Sequence, residues 1–497
     1  MSTLYNQELE NKYRNNYDQK SVIVIGGGPL GILSVRYLTE DSSINVICFE
    51  AKDNLGGMWY MDKYDSLDPT IDHSRNAFIR DHGVCQSSLY ENLDLNNPKS
   101  MALYKGHPCP KEFKEYMTAQ ENLQYITSFA DKYNVRNYTS FNTYVNIVRL
   151  VANMNQEELA NIPFKPTKKF LVQVVSYHNF DKEIRYFQAD YIYACSGHFS
   201  KPNIQKIPNQ EIFEGEIVHT HHYRPKDEDK FANKNIVLVG SMISAQDIFS
   251  IFLFEVRNRP AKITVLSRKN LDYLKNAVSL QEVIQKGKIE FIQQDEYNCI
   301  KSHNSIELKS GRILENVDVI LLATGYLYFF PYLDRFNHLD NFIEYYEKSR
   351  SFGPLYNKLI SINEPHLIFP GCLVGVSQSH HERQAFYAAQ YVFGKFQLPS
   401  KEEMMKEFEE ELEKFGGKRG YLAIAKFPSF IKDHDVYVRK LHKDLKGIEF
   451  DEYFQEQWVI YGIIIQNFIA NGNYHAMKKD DLSHMDTCDY VPKVGLF

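Results

Sequence analysis

An apolar run that breaks at a cluster of glycines and resumes as a helix constrains this chain more than any other feature. "SVIVIGGGPLGILSVRYLTED", residues 21–41, reads as a buried strand, a tight turn and a helix whose apolar positions recur every three to four residues. "INVICFE", residues 44–50, supplies a second buried strand. A strand, helix and strand this closely spaced form a right-handed parallel crossover, the opening unit of a doubly wound sheet. "NIVLVGSMISAQDIFSIFLFEV" at 235–256 and "KITVLSR" at 262–268 repeat the order.

The expected fold is therefore α/β with two Rossmann-like dinucleotide-binding domains. Two further strands ending in similar turns bracket the second unit: "ADYIYACSGHFSKP" (189–202) before it and "VDVILLATGYLYFFP" (317–331) after it. A chain that leaves one domain, builds another and returns has this pattern. It predicts a domain over 201–317 inserted into a discontinuous one made of 1–200 and 318–497. Later, "PSKEEMMKEFEEELEKFGG" opens with a Ser400 to Glu403 capping box and places Met404, Phe408, Leu412 and Phe415 on one face of a surface helix. Residues 61–86, 472–497 and "MNQEELANIPFKPTKK" (154–169) are weakly patterned and read as loops.

Composition excludes several classes. A length of 497 residues with 43% hydrophobic content suits two or three folded domains, and a net charge of -6 gives no basic field for nucleic acid. The N-terminus is polar throughout, with neither signal nor transit character. The most apolar late stretch, "WVIYGIIIQNFIA", includes Gln466 and falls short of the roughly twenty residues that cross a bilayer, so no membrane span is expected. Seven scattered cysteines, none in a C-x-x-C pair, fit a reducing cytoplasm rather than a disulfide framework or a zinc ribbon. The sequence leaves a homodimer open.

Gly26, Gly28 and Gly31 form G-x-G-x-x-G between the first strand and its helix, the context that makes this motif informative. Gly26 permits the tight turn, Gly28 the approach of a pyrophosphate, and Gly31 close packing of the helix, whose N-terminus favours anions. Glu50 ends the next strand, where its carboxylate accepts ribose hydroxyls and repels a 2′-phosphate, so the ligand is FAD or NAD rather than NADP. Gly56, Gly57 and Trp59 in "EAKDNLGGMWY" have the spacing of two-dinucleotide flavoproteins and select FAD.

At the second turn Gly240, Ser241, Met242, Ser244 and Ala245 stand where a dinucleotide is bound, with Met242 in place of the second glycine. The following strand ends in Ser267, Arg268 and Lys269 instead of an acid, an arrangement that accepts the 2′-phosphate of NADPH. Between the turns lies "FEGEIVHTHHY", residues 213–223. Three histidines within four positions suggest a metal, but a fourth ligand and second-shell partners are not apparent, and no metal is expected.

The FAD turn, G-G-x-W, the order F-x-G-x-x-x-H-T-x-x-Y from Phe213 to Tyr223, the second turn and "ATGY" at 323–326 together resemble the flavin-containing monooxygenases. The resemblance runs from about residue 20 to about 400 and is nearest to the soluble bacterial-type, trimethylamine monooxygenase-like branch, with "GHFSKP", "SAQDI", "FPYL" and "QAFYA" as near counterparts. It implies an NADPH-dependent oxidoreductase that forms an oxygen adduct at carbon 4a of the flavin and passes one oxygen atom to a small amine or sulfide. It also implies that the bridge couples the two cofactors, with Tyr223 near NADPH. A tryptophan in place of Tyr223 is usual in Baeyer-Villiger relatives. Asn96 in "LNNPKSM" aligns with the family's asparagine beside the flavin and is the catalytic candidate. Gln384 aligns near the flavin ring, and Val145 in "FNTYVNIV" lies on a strand reaching the adenine end.

Three positions depart from that pattern. Met242 loosens the grip expected on NADPH, Ser196 replaces a usual threonine, and "SQSHHERQ" (377–384) is polar where bacterial amine oxidisers carry aromatics. An NADPH oxidase releasing hydrogen peroxide, a Baeyer-Villiger enzyme and a non-catalytic flavin-binding protein stay open as alternatives.

Overall fold

The computed structural model describes residues 2–61, 87–90, 93–95, 99, 102–178, 181–224, 228–277, 280–374, 378–414, 416–418, 421–422 and 430–445. Two largely parallel sheets organise it. The first runs in the order Leu355–Tyr356, Ile360–Ser361, Leu367–Ile368, Tyr191–Ala194, Lys20–Ile25, Ile44–Phe49, Thr139–Ser140. The centre of its five parallel strands is Lys20–Ile25, which pairs with Ile44–Phe49 on one side and Tyr191–Ala194 on the other. Val22, Ile23 and Val24 are fully buried there. Burial on both faces is why the strand reads as an unbroken apolar run without alternation.

The second sheet is parallel throughout, in the order Ile289–Gln293, Lys262–Ser267, Asn235–Val239, Val319–Leu322, Glu216–His219. One expectation changes here. Val319–Leu322, assigned by the sequence to the returning 318–497 segment, pairs with Asn235–Val239 and belongs to the second sheet. The boundary placed at 318 therefore moves beyond Leu322. The bridge, within the expected 201–317 segment, starts as the edge strand Glu216–His219 of the same sheet. An apolar strand carries the same period whichever sheet it joins, and only long-range pairing decides between them.

The two crossings between the sheets meet. Lys201–Pro202 leaves the first unit and pairs antiparallel with Tyr326–Leu327 on the way back. Beside this ribbon, the Asn203 N–H donates to the Gly325 carbonyl at 2.8 Å, and Thr324 Oγ1 donates to the Asn203 carbonyl at 2.6 Å. A third, antiparallel sheet of Thr143–Leu150, Phe170–His178 and Asp181–Ala189 flanks the first unit.

The predicted capping box holds: Ser400 N–H donates to Glu403 and Glu403 N–H to Ser400 Oγ, with Met404 and Phe408 buried beneath Lys401–Lys414. The polar N-terminus, given no element by the sequence reading, forms the helix Ser2–Asn15. Its buried Glu10 accepts from Arg185 Nε and Nη2 and from Ser140 Oγ, all at 2.8 Å, which pins the helix over the edge of the first sheet. Within the stretch read as loop, Gln156–Ala160 makes one helical turn capped by Asn155 and Glu158. Residues 62–86 and 472–497 of the expected loops, and the apolar stretch at 458–470, lie outside the described residues. Among the described residues no helix is long and apolar enough to cross a membrane.

Candidate functional site

The first glycine turn sits at the carboxyl end of the central strand of its sheet, between neighbours on opposite sides, where doubly wound sheets bind ligands. Gly26 has φ +101°, and its N–H donates to the Phe49 carbonyl at 2.8 Å. A Cβ on Gly26 would lie 2.8 Å from the carbonyl oxygen of Cys195, which closes the adjacent strand. One on Gly31 would drive into the Gly26 carbonyl. The second glycine pair presses on the first: a Cβ on Gly57 (φ +57°) would stand 2.7 Å from the Cα of Gly28. Gly56 and Trp59 close this crossing, since the Gly56 N–H donates to Gly27 and the Trp59 N–H to Gly56.

Glu50 is buried at the same point, accepting from the Gly27 N–H at 2.5 Å and the Lys52 N–H at 2.7 Å. The Thr143 N–H donates to the Glu50 carbonyl, which draws the strand bearing buried Val145 alongside. The helix Pro29–Leu38 begins at Gly28 with no side-chain cap. This cradle, lined by backbone that no Cβ obstructs and set at an uncapped helix N-terminus, fits the pyrophosphate of a dinucleotide.

The second turn repeats the geometry. Gly240 has φ +123°, its N–H donates to the Leu266 carbonyl at 2.9 Å, and a Cβ there would meet the Ala323 carbonyl that ends the neighbouring strand. Met242 is the N-cap residue of Ile243–Ser250 and is 57% exposed, its sulfur 3.1 Å from Lys269 Nζ. Its side chain is directed outward, toward the basic loop. Ser241 and Ser267 hydroxyls lie 2.8 Å apart, Ala245 is buried and Ser244 exposed. Arg268 is exposed, with Glu296 3.8 Å away, a surface pair of little strength. The Lys269 N–H donates to Ser267 Oγ.

The bridge histidines dock on the returning turn. His219 Nδ1 accepts the His221 N–H at 3.0 Å, so the proton of the neutral ring is on Nε2, 3.1 Å from the Gly325 carbonyl. His221 Nδ1 lies 3.2 Å from the Tyr326 hydroxyl. Burial pushes His219 down to about 4 and, with His222 and Arg224 adding to it, His221 down to about 3. Both ring nitrogens of His219 are engaged by protein groups. Among the described residues no group of three or more His, Cys, Asp or Glu is placed to hold a metal ion.

Other expected site residues take less obvious places. Tyr223 is 2% exposed and packs in the core of the second unit, edge-on to Tyr90 and Phe252. Gln384 is fully buried; its Oε1 accepts the Gly371 N–H at 2.9 Å and its Nε2 donates to the Tyr437 hydroxyl at 2.8 Å. Gly371 in turn packs against Leu30 of the first helix. The polar run at 377–384 is no solvated face: from Gln378 it enters a helix on which His380, Glu382, Arg383 and Gln384 are buried. Glu382, which burial raises to about 7, accepts from the Tyr37 hydroxyl and the Lys105 N–H. Asn96 lies outside the described residues.

Sequence reasoning missed His198, Tyr326 and Tyr328. The His198 ring is tilted against Phe199 and Tyr328, with centroids 4.1 Å and 5.5 Å away, while Tyr326 receives Phe199, His219 and His221 edge-on. "GHFSKP" and "ATGY" were visible as words, but nothing in either indicates that they meet.

A family model described as flavin-binding monooxygenase-like matches residues 19–279 and 278–433. The flavin-containing monooxygenase FMO GS-OX3 of Arabidopsis thaliana is 28% identical over 404 residues, covering 79% of this chain and 78% of the relative. The senecionine N-oxygenase of Tyria jacobaeae is 24% identical over 430 residues, 85% and 82% of the two chains. Among solved structures, S-allyl-L-cysteine S-oxygenase from Allium sativum superposes with a TM-score of 0.69 at 21% identity, covering 93% of this chain and 95% of that one. Tmm from Pelagibacter sp. strain HTCC7211 gives 0.62 at 21% identity, over 89% and 90%. The two structures share the fold.

Two predictions rest on this geometry. Gly31→Ala forces a methyl group into the Gly26 carbonyl and is expected to cost about 1–3 kcal/mol in urea unfolding and to abolish co-purified flavin absorbance. The bridge histidines are neutral when folded and titrate near 6.5 when unfolded. Their contribution is therefore intact above that value and is lost as pH falls toward about 4. His219→Gln is expected to flatten the fall of the urea midpoint between about pH 7 and pH 5, measured by denaturation at each pH.

Proposed function

The chain belongs to the flavin-binding monooxygenase-like family, and from that premise we propose that it transfers one oxygen atom of O2 to a soft nitrogen or sulfur of a small substrate, with FAD at the first glycine turn and NADPH at the second. Members are oxidoreductases that use FAD and NADPH. In this reading each parallel sheet is a Rossmann-like dinucleotide-binding domain, the NADPH domain being inserted into the FAD domain.

One observation carries it. Both sheets end in a glycine turn pressed on the carbonyl that closes the neighbouring strand, at Cys195 in the first and Ala323 in the second. Two dinucleotide sites on one chain are what a transfer between a nicotinamide and a flavin requires. The names of relatives point to both heteroatoms, one an N-oxygenase and another an S-oxygenase.

FAD, once reduced by NADPH, supplies the activation of dioxygen that no side chain provides. The chain's own residues bind, orient and exclude water. Gly26, Gly28 and Gly31 admit the FAD pyrophosphate to backbone amides, and Glu50 accepts from its ribose. Gly56, Gly57 and Trp59 close over it, and Val145 borders the adenine end. Gln384, held between Gly371 and Tyr437, would stand near the flavin ring. Gly240, Ser241, Ser244 and Ala245 would seat the NADPH pyrophosphate, and Tyr223 would support that site from the core of the second unit. Arg268 and Lys269 would receive its 2′-phosphate, and Asn96 would supply an amide donor at the reacting centre.

A second reading, an NADPH oxidase that releases hydrogen peroxide, is favoured by Met242, whose Cβ takes up room at the helix N-cap that a glycine would leave to phosphate. Anaerobic mixing with NADPH followed by oxygen and a panel of thioethers and tertiary amines separates the two. Bleaching of the flavin and one oxygenated product per NADPH is the expected result. Stoichiometric peroxide without product establishes the oxidase, and an unbleached flavin removes both readings.

Arg268→Ala is expected to raise the KM for NADPH by roughly 10–100-fold, the worth of a charge-assisted contact to phosphate, and to leave that for NADH within about twofold. Equal effects on both would dismiss a 2′-phosphate role. Asn96→Ser is expected to keep FAD bound and lose oxygenated product, read by mass spectrometry of the substrate.

A further inference from the structure

We infer that Tyr90 and Asp247 are positioning residues whose hydrogen bond fixes the second dinucleotide turn relative to the first. The inference rests on the functional reading above, because its consequence is for hydride passage between the two sites. Neither residue carries a functional mark in the sequence: Tyr90 falls in no motif, and Asp247 appears only as part of "SAQDI".

The tie begins at the first site. Ser87 Oγ donates to the carbonyl of Met58, the residue after Gly57. The Ser87 carbonyl accepts from Arg224 Nη2 at 2.8 Å. Arg224 is 4% exposed, and its Nη1 donates to the carbonyls of His221 at 2.9 Å and Tyr223 at 2.8 Å. One guanidinium thus joins the segment at Ser87 to the bridge.

Three residues further on, the chain enters the other unit. Tyr90 and Leu93 pack in the core of the second unit, although they precede its first strand by a long stretch of sequence. The Tyr90 ring stands edge-on to Tyr223 with centroids 5.9 Å apart, and its hydroxyl donates to Asp247 Oδ2 at 2.9 Å in a buried setting. Asp247 is on Ile243–Ser250, the helix that starts at the second glycine turn. The segment then returns to the first unit: the Ala119 N–H donates to the Leu93 carbonyl and the Leu95 N–H to the Met117 carbonyl.

A hydroxyl bonded to a buried carboxylate is a strong, directional contact, and losing the donor leaves a desolvated charge short of a partner. Hydride transfer needs its two atoms about 3–3.5 Å apart, and a misplacement of about 1 Å costs on the order of a hundredfold in rate. A contact that ties the helix of one cofactor to the strap of the other therefore bears on the transfer step more than on the binding of either cofactor.

The test pairs Tyr90→Phe, which keeps the ring and removes only the hydroxyl, with Asp247→Asn and with the double variant. Two measurements are made on the full chain: the limiting rate of flavin reduction at saturating NADPH, and hydrogen–deuterium exchange without NADPH. The expected result is a limiting rate at least about tenfold lower in Tyr90→Phe, with FAD content unchanged and the double variant no slower than the slower single. Amides of Ile243–Ser250 exchange faster, while those of Lys20–Ile25 and Asn235–Val239 do not. A rate within about twofold of the parent, or a double variant equal to the product of the singles, overturns the inference. So does an exchange increase spread over both sheets, which is general loosening. If the parent flavin is not reduced by NADPH, the functional reading fails by itself. The exchange arm then decides the tie: acceleration confined to Ile243–Ser250 upholds it, and unchanged exchange there removes it.

Discussion

A backbone carbonyl resting where a side chain would be sets the geometry of both halves of this protein. Gly26 lies against the carbonyl of Cys195 and Gly240 against that of Ala323, each at the end of the central strand of a parallel sheet. Because no Cβ intervenes, the turn stays tight and the following helix starts directly above the strand ends. Each glycine also donates to the last or next-to-last carbonyl of the strand on its other side, Phe49 and Leu266. The helix N-termini and their amides are thereby aimed at one place in each sheet.

The halves are joined by more than chain continuity. Lys201–Pro202 and Tyr326–Leu327 form an antiparallel ribbon, and His219 and His221 dock beside it on Gly325 and Tyr326. Those rings suit the place because they are neutral. His219 accepts with one nitrogen and donates with the other, so a second proton would face the His221 amide donor. The clustered histidines, whose spacing by itself suggests a metal, make hydrogen bonds to protein groups at His219 and His221. The segment through Tyr90 joins the halves at a separate place, and two places of contact resist rotation that one allows.

A similar principle holds at the C-terminal side. The polar run from Gln378 would be a surface feature by composition, yet it opens a helix buried against Tyr37, Lys105 and Gly371. Glu382 and Gln384 are tolerated there because each meets hydrogen-bonding partners. Gln384 is held from both ends, by the Gly371 amide and by Tyr437 on the helix Phe430–Lys443.

The sequence by itself determined the parts whose physics is local. Strand, turn and helix were legible at 21–41 and 235–256 because apolar period and glycine placement act within a few residues, and the Ser400 capping box was legible for the same reason. The basic end of Lys262–Ser267 and the acid at Glu50 were likewise visible as chemistry at a strand terminus. Only the tertiary structure decided that Val319–Leu322 joins the second sheet, that the bridge is that sheet's edge strand, and that Tyr90 reaches Asp247. An apolar strand is equally apolar in either sheet, and a buried tyrosine carries no mark of its acceptor. Those choices are made by pairing and packing between residues far apart in the chain, which no local period records.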